Sequence, residues 1–276
     1  MVKGYRAPET GGKDMDVFTV ELSGIPIEIQ SRYHYCRWYC RSFFTDRYPL
    51  FSVFADENRL NDLRERCPDM REELLERDAI YSVIASRLPS FNRAVLHGAC
   101  ISYHDKGYLF AAASGTGKTT HIRLWRQFVG AGVDIVNGDK PICHIEGEKK
   151  NQAEITAYGT PWCGKEGWGR RRSTPVAAVC FLRRAEEGNR IRRVSPADAV
   201  PLMLRQMFHP YEPEATGLML DLLDQMIATL PMYLLECDIS EEAVKCSFEA
   251  LTGEAYTGNG IQTTAEEIDR LWRMPG

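Results

Sequence analysis

Alternating apolar and polar residues dominate the first part of the chain. Residues 17–22 alternate, Gly24 interrupts the pattern and residues 25–29 resume it, which predicts two short strands joined by a turn. In the aromatic-rich segment 33–44 we interpret the rings as half-buried sheet residues. The interleaved arginines would also suit base stacking on nucleic acid, and that alternative stays open.

Helical spacing replaces this alternation further along. Residues 56–69 are charged and loosely helical, whereas residues 71–88 carry one apolar stripe behind an acidic first turn. Pro89 is expected to end that helix. We therefore predict a smaller β-rich N-terminal portion, residues 1–90, that ends in a helix, and a nucleotide-binding core, residues 91–276.

Short strands and helices mix throughout the predicted core, which favours an α/β fold class of the α+β kind with a mixed sheet. The uninterrupted apolar run 175–182 predicts a central strand. In the turn 104–107, Gly107 is expected to supply a positive φ. The remaining predicted strands are 94–103, 108–112, 133–137, 142–145, 153–158, 191–194 and 232–237. One predicted helix runs from residue 118 to Gly130, and the others are 196–208, 214–230, 241–251 and 264–273.

The stretch 109–120 carries the clearest chemistry. It places an apolar strand, a Gly-rich turn and an amphipathic helix in succession, an order that brings unpaired amides and the helix dipole to one point. In the phosphate-loop pattern GxxxxGK[ST], the Lys reaches the β- and γ-phosphates and the next hydroxyl holds Mg²⁺. Ala112 replaces the first Gly, at the strand end where a methyl is tolerable. An ordinary strand-to-helix turn is the alternative. The residues predicted to bind the phosphates of ATP are Ser114, Gly115, Thr116, Gly117, Lys118, Thr119 and Thr120.

Two later segments add candidate residues. Asp139 follows the apolar strand 133–137, where nucleotide enzymes keep a metal-binding carboxylate, so Thr119 and Asp139 are the predicted Mg²⁺ ligands. Segment 159–172 combines glycines, two tryptophans and basic residues, which predicts a mobile cationic loop. A solvated surface loop is the alternative. The residues of this loop predicted to contact phosphate or substrate are Lys165, Arg170, Arg171 and Arg172.

Composition and charge limit the partners and the cellular compartment that we expect. A formal net charge of -4 provides no global attraction to nucleic acid or to an anionic membrane, and no apolar run is long enough to span a bilayer. Nine scattered cysteines without a Cys-x-x-Cys pair, and the lack of an N-terminal apolar export segment, favour free thiols in a cytoplasmic protein. A zinc site on His34, Cys36 and Cys40 would lack a second ligand pair.

Several stretches across residues 93–200 together resemble the HPr kinase/phosphorylase family, small relatives of phosphoenolpyruvate carboxykinase. Leu96-His97-Gly98-Ala99 is similar to the family's Ser/Met-His-Gly-Val stretch, and the phosphate loop follows at similar spacing. The resemblance implies a mixed-sheet P-loop core of that type, with His97 as the active-site histidine and Asp139 as the second of two adjacent aspartates. Gly138 stands where the family has the first of these two aspartates. Residues 159–169 resemble an uncharacterised bacterial branch of these proteins.

We therefore predict an ATP- and Mg²⁺-dependent kinase that transfers the γ-phosphoryl group to a hydroxyl, in particular a serine of a protein or peptide. Lys118, Asp139 and His97 would be catalytic. A nucleotide-binding regulatory or accessory protein without turnover is the alternative, favoured by Gly138; a carboxykinase would need a longer chain. The expected partner is a protein, peptide or small-molecule hydroxyl substrate, with no nucleic acid and no membrane, and homo-oligomerisation is left open.

Overall fold

Two β-sheets organise the described part of the chain, which in this computed structural model comprises residues 15–147, 152–258 and 263–274. The first sheet contains β1 (Asp16–Leu22) and β2 (Ile25–Ser31), an antiparallel hairpin, with β3 (Phe51–Phe54) parallel to β2. Its alternating inward side chains form an apolar face, as the sequence pattern predicts.

The aromatic segment after β2 is helical, so its assignment to a sheet is wrong. It forms α1 (His34–Cys40), followed by a short 3₁₀ turn (Arg41–Phe43). The buried carboxylate of Glu76 accepts hydrogen bonds from the backbone N–H groups of Arg32 (2.7 Å) and Tyr33 (3.1 Å). A distant carboxylate therefore supplies the partner for amides at the start of this helix, which local patterning cannot reveal.

The two expected helices follow as α2 (Glu57–Arg66) and α3 (Glu72–Arg87). α3 ends at Arg87, so the helix stops before Pro89 as expected, and Pro89 lies in the 3₁₀ turn (Leu88–Phe91) that follows. The apolar cluster beneath these helices continues across residue 90 to Val95 and Ile142 of the second sheet and to Trp162, which follows that sheet's strand 154–158. A domain boundary near residue 90 stays a prediction.

The second sheet is mixed, and β10 lies at its centre as predicted. β10 runs parallel to β6 and β12, while the other pairs are antiparallel. The strand order is β4-β8-β9-β10-β6-β5-β7, with β12 also beside β10 and β11 beside β12. The strands are β4 (Arg93–Val95), β5 (Gly98–Tyr103), β6 (Lys106–Ala111), β7 (Asp134–Asn137), β8 (Ile142–Glu146), β9 (Glu154–Tyr158), β10 (Ser173–Arg184), β11 (Arg190–Arg193) and β12 (Met232–Cys237).

Helices cover both faces of this sheet, which confirms the expected mixed α/β class. On one face α5 and α6 pack on one set of alternating strand residues, and on the other face α4, α7 and α8 pack on the intervening set. The helices are α4 (Lys118–Val129), α5 (Pro196–Leu204), α6 (Pro213–Thr229), α7 (Glu241–Thr252) and α8 (Ala265–Trp272). Among the described residues, no helix is both long and apolar enough to cross a membrane.

Two local predictions in this region need correction. α5 ends at Leu204 instead of residue 208, because Phe208 N–H donates to the carbonyl of Val95 and draws the chain towards β4. In the β5–β6 turn the positive φ angles belong to His104 and Asp105. Gly107 is instead needed because there is no room for a side chain, since a Cβ there would lie 2.5 Å from Thr174 Cγ2 on the neighbouring strand.

The register of the strands gathers the candidate residues at one edge of the sheet. β6, β10 and β12 are parallel, so their carboxyl ends meet there. The antiparallel β5 begins at the same edge, since Gly98 pairs with Ala111, and β7 ends there, since Cys100 pairs with Asn137. The loops that follow or precede these strand ends form a single cleft.

Candidate active site

The phosphate-loop pattern occupies the connection between β6 and α4. Gly115 (φ 77°) and Gly117 (φ 121°) both adopt left-handed backbone conformations, and a Cβ at either position would meet nothing within 4 Å. Glycine is therefore required here by backbone conformation and not by crowding, and the space over the loop is open. Ala112 is buried at the end of the strand, where its methyl group fits the sheet.

Lys118, the first residue of α4, is fixed below this loop. Its Nζ donates to the carbonyl of Ala112 at 2.9 Å and lies 3.2 Å from His97 Nε2. Burial lowers the pKa of Lys118, and the nearby Asp139 carboxylate partly offsets that effect. The ammonium group is therefore held in place before any ligand arrives.

Asp139 is the carboxylate nearest to this lysine and histidine pair. Its Oδ1 lies 3.4 Å from His97 Nε2, and its Oδ2 lies 3.5 Å from Lys140 Nζ. Burial acts to raise the pKa of Asp139, but the His97 hydrogen bond and the charges of Lys140 and Lys118 lower it overall. The site thus contains an ionised carboxylate next to two cationic groups.

Two amide side chains that the sequence analysis did not single out hold these groups. Asn137 is fully buried, and its Oδ1 accepts the backbone N–H groups of Asp139 (2.9 Å) and Lys140 (2.7 Å). Gln206, with its amide nitrogen facing the strand ends, donates to the carbonyls of Ala112 (3.2 Å) and His97 (3.1 Å). The signal for Asn137 was present as a polar residue ending an apolar strand, whereas Gln206 is distant in sequence.

Arg184 is a further residue that sequence reasoning missed. It ends β10, and its guanidinium donates to the carbonyls of Thr116 (3.2 Å) and Gly115. An exposed arginine at a strand end resembles any solvated residue, and only the parallel register of β10 with β6 places it on the loop.

The cleft around these groups has a volume of about 1070 Å³. Most of the predicted site residues line it, including Thr119 and Thr120 on α4 and Lys165 at the opposite rim. The lining residues that the sequence analysis named are His97, Ser114, Gly115, Thr116, Gly117, Lys118, Thr119, Thr120, Asp139 and Lys165.

Segment 159–172 is packed against the protein, so the prediction of a mobile cationic loop is corrected. Trp162 and Trp168 are 5% and 1% exposed. The backbone continues the edge of the sheet, because Gly138 N–H donates to the carbonyl of Trp168 and Arg170 N–H donates to that of Val136. A Cβ on Gly159 would lie 2.7 Å from the Val136 carbonyl oxygen, so glycine at this position permits the close approach of two segments of the chain.

The three consecutive arginines of this segment do not line the cleft. Arg170 donates to the main-chain carbonyls of Trp272 (3.2 Å) and Arg273 (3.0 Å). Arg171 donates to the Phe44 carbonyl at 3.1 Å, and Arg172 forms an ion pair with Asp134 at 2.7 Å. These hydrogen bonds and this ion pair connect the segment to other parts of the protein. Our candidate site therefore does not include Arg170, Arg171 and Arg172.

The same packing explains the glycine beside Asp139. A Cβ at Gly138 would lie 2.8 Å from the Cys163 carbonyl oxygen and 3.1 Å from that of Trp168. Both contacts are with backbone, so they cannot be relieved by turning a side chain. An aspartate at position 138 is therefore excluded by the packed segment.

The cysteines show no metal chemistry. All nine are free thiols, as expected, and the described residues include no group of three or more His, Cys, Asp or Glu side chains placed to hold a metal ion. His34 instead pairs with Asp16 at 2.8 Å, and Cys36 and Cys40 are buried. The zinc alternative is not supported.

Comparison with known proteins adds little to this geometry. No protein-family model matches the chain, and no curated protein matches it. Among solved structures, the HPr(Ser) kinase/phosphatase from Coxiella burnetii matches with 11% sequence identity and a TM-score of 0.31, over 58% of this chain and 93% of that one. Neither function nor substrate is inferred from so distant a likeness.

Proposed function

We propose that this protein binds ATP together with Mg²⁺ in the cleft and transfers the γ-phosphoryl group to a hydroxyl, in particular a serine of a protein or peptide. The observation that carries the proposal is the contact of Lys118 Nζ with His97, and of His97 with Asp139, beside a glycine-rich loop with open space over it. Phosphoryl transfer needs mainly positioning and charge neutralisation, which these groups provide.

The phosphate loop would hold the nucleotide. The first N–H groups of α4 have no partners within the helix, and with the loop amides of residues 114–118 they would form a phosphate cradle. Lys118 would lie between the β- and γ-phosphates, and Arg184 braces the loop from the neighbouring strand.

The residues present also fit a magnesium ion. Mg²⁺ prefers oxygen ligands and takes one or two carboxylates together with substrate phosphates, and the cleft offers the Thr119 hydroxyl and the ionised Asp139. The ion would neutralise charge on the phosphates during transfer.

We propose that His97 is the general base that removes the proton from the acceptor hydroxyl. Its Nε2 faces a donor, Lys118, and an acceptor, Asp139, so either tautomer finds a partner. Asp139 is less suited to this role, because His97 and Lys140 contact its two oxygens and its pKa is lowered.

The direct test is incubation of the purified protein with radiolabelled ATP, Mg²⁺ and a lysate from the native host. A labelled polypeptide that is absent with a Lys118→Met control supports the kinase. Tight ATP binding without any label supports the regulatory alternative, which the absence of an acid at Gly138 favours. A protein that neither binds ATP nor labels a polypeptide refutes both.

A further inference from the structure

A second carboxylate reaches the cleft from the packed segment 159–172. Glu166 lies in a turn in which Gly167 N–H donates to the carbonyl of Gly164 at 3.1 Å. Gly164 (φ 85°) and Gly167 (φ 69°) both have left-handed backbone conformations. The two glycines therefore fix the direction in which the turn presents Glu166.

Glu166 and Asp139 both lie next to Gly164. A methyl group on Gly164 would be 3.4 Å from Glu166 Oε2 and 3.3 Å from Asp139 Cβ. Both side chains line the same cleft as the phosphate loop. The turn thus places a second acidic side chain near the one that the proposed function already uses.

The two carboxylates differ in the groups that contact their oxygens. His97 and Lys140 contact the two oxygens of Asp139, whereas Glu166 is paired with Lys165 at 3.9 Å, and the Lys165 side chain is 91% exposed. An exposed pair at that distance is weak and easily exchanged. The Glu166 side chain is itself 20% exposed, and it lines the cleft.

We propose that Glu166 is the second carboxylate that holds, with Thr119 and Asp139, the divalent cation of the bound nucleotide. This inference rests on the proposed function. Mg²⁺ takes one or two carboxylates together with substrate phosphates, and Glu166 lines the same cleft as Thr119 and Asp139. The packed segment that excludes a side chain at Gly138 also delivers Glu166, so the two features have one structural cause.

The test is a Mn²⁺ titration followed by electron paramagnetic resonance, with the protein saturated by a non-hydrolysable ATP analogue. Glu166→Gln keeps the size and removes the charge, and should weaken Mn²⁺ binding by at least about tenfold, since even outer partners of a metal contribute that much. Affinity for the analogue in EDTA should change by less than about twofold, as neutral Gln leaves the phosphate loop intact. The Mn²⁺ affinity of Glu166→Asp should lie between that of the wild type and that of Glu166→Gln.

Asp221→Asn, an exposed charge neutralisation on α6 that does not line the cleft, is the matched control and should bind Mn²⁺ like the wild type. If Glu166→Gln, with an unchanged melting temperature, also binds Mn²⁺ like the wild type, the inference is overturned while the proposed function stands. If Glu166→Gln unfolds, wild-type Mn²⁺ affinity in Glu166→Ala overturns the inference in the same way. A wild-type protein that binds no analogue refutes the proposed function itself.

Discussion

Replacing Lys118 by methionine separates the role of this residue in ligand binding from its role in folding. Methionine fills a similar volume but has no charge and no hydrogen for the Ala112 carbonyl. Loss of that hydrogen bond costs about 1 kcal/mol, and relief of a buried ammonium whose pKa is lowered offsets part of it. The unliganded variant should therefore be nearly as stable as the wild type.

The liganded proteins should differ far more. At a concentration of Mg²⁺ and ATP analogue one hundred times Kd, binding stabilises the wild type by about 2.7 kcal/mol, or roughly 5–10 °C in melting temperature for a chain of this size. A hundredfold weaker Kd would leave about 0.4 kcal/mol, a shift of about 1 °C. Turnover should fall at least about 10²-fold, as expected for loss of one preorganised charge contact.

Thermal unfolding with and without the analogue, together with turnover, measures both effects. The phosphate-loop assignment requires that the variant keep its unliganded melting temperature and lose the ligand-induced shift. A folded Lys118→Met protein that keeps the full shift, or keeps its turnover, would refute the reasoning.

Three other changes test the surroundings of the site. Asp139→Asn should lower turnover by at least about 10²-fold and weaken Mg²⁺ dependence, and unchanged kinetics would place the metal carboxylate elsewhere. Gly138→Ala should destabilise the protein in chemical denaturation, because its Cβ would lie 2.8 Å from the Cys163 carbonyl oxygen; wild-type stability would contradict the close packing. Burial lowers the pKa of His121 to about 4, below its usual 6.5, so the folded protein resists a proton that the unfolded chain accepts. The corresponding stability is present above pH 6.5 and is lost as the pH falls towards 4, by on the order of 3 kcal/mol. His121→Gln should remove that part of the pH dependence, and identical curves for both proteins would show that His121 is not buried in neutral form.

The sequence determined the features that depend on neighbouring residues. Local periodicity predicted most strands and helices, and the caps found before α5 and α8 are equally local, since Ser195 and Thr264 accept hydrogen bonds from amides only three residues away. The phosphate-loop pattern was readable for the same reason, because its glycines, its lysine and the start of α4 are close together in the chain.

Only the tertiary structure decided which side chains meet. Glu76 supplies a carboxylate to the start of α1 from more than forty residues away, so the aromatic segment could not be recognised as a helix. Arg170 and Arg184 both lie in basic stretches of the sequence, yet the first donates to the Arg273 carbonyl and the second to the Thr116 carbonyl in the loop before α4. Their roles depend on strand register and on how closely segment 159–172 packs against Gly138, and both arise from contacts between residues far apart in the chain.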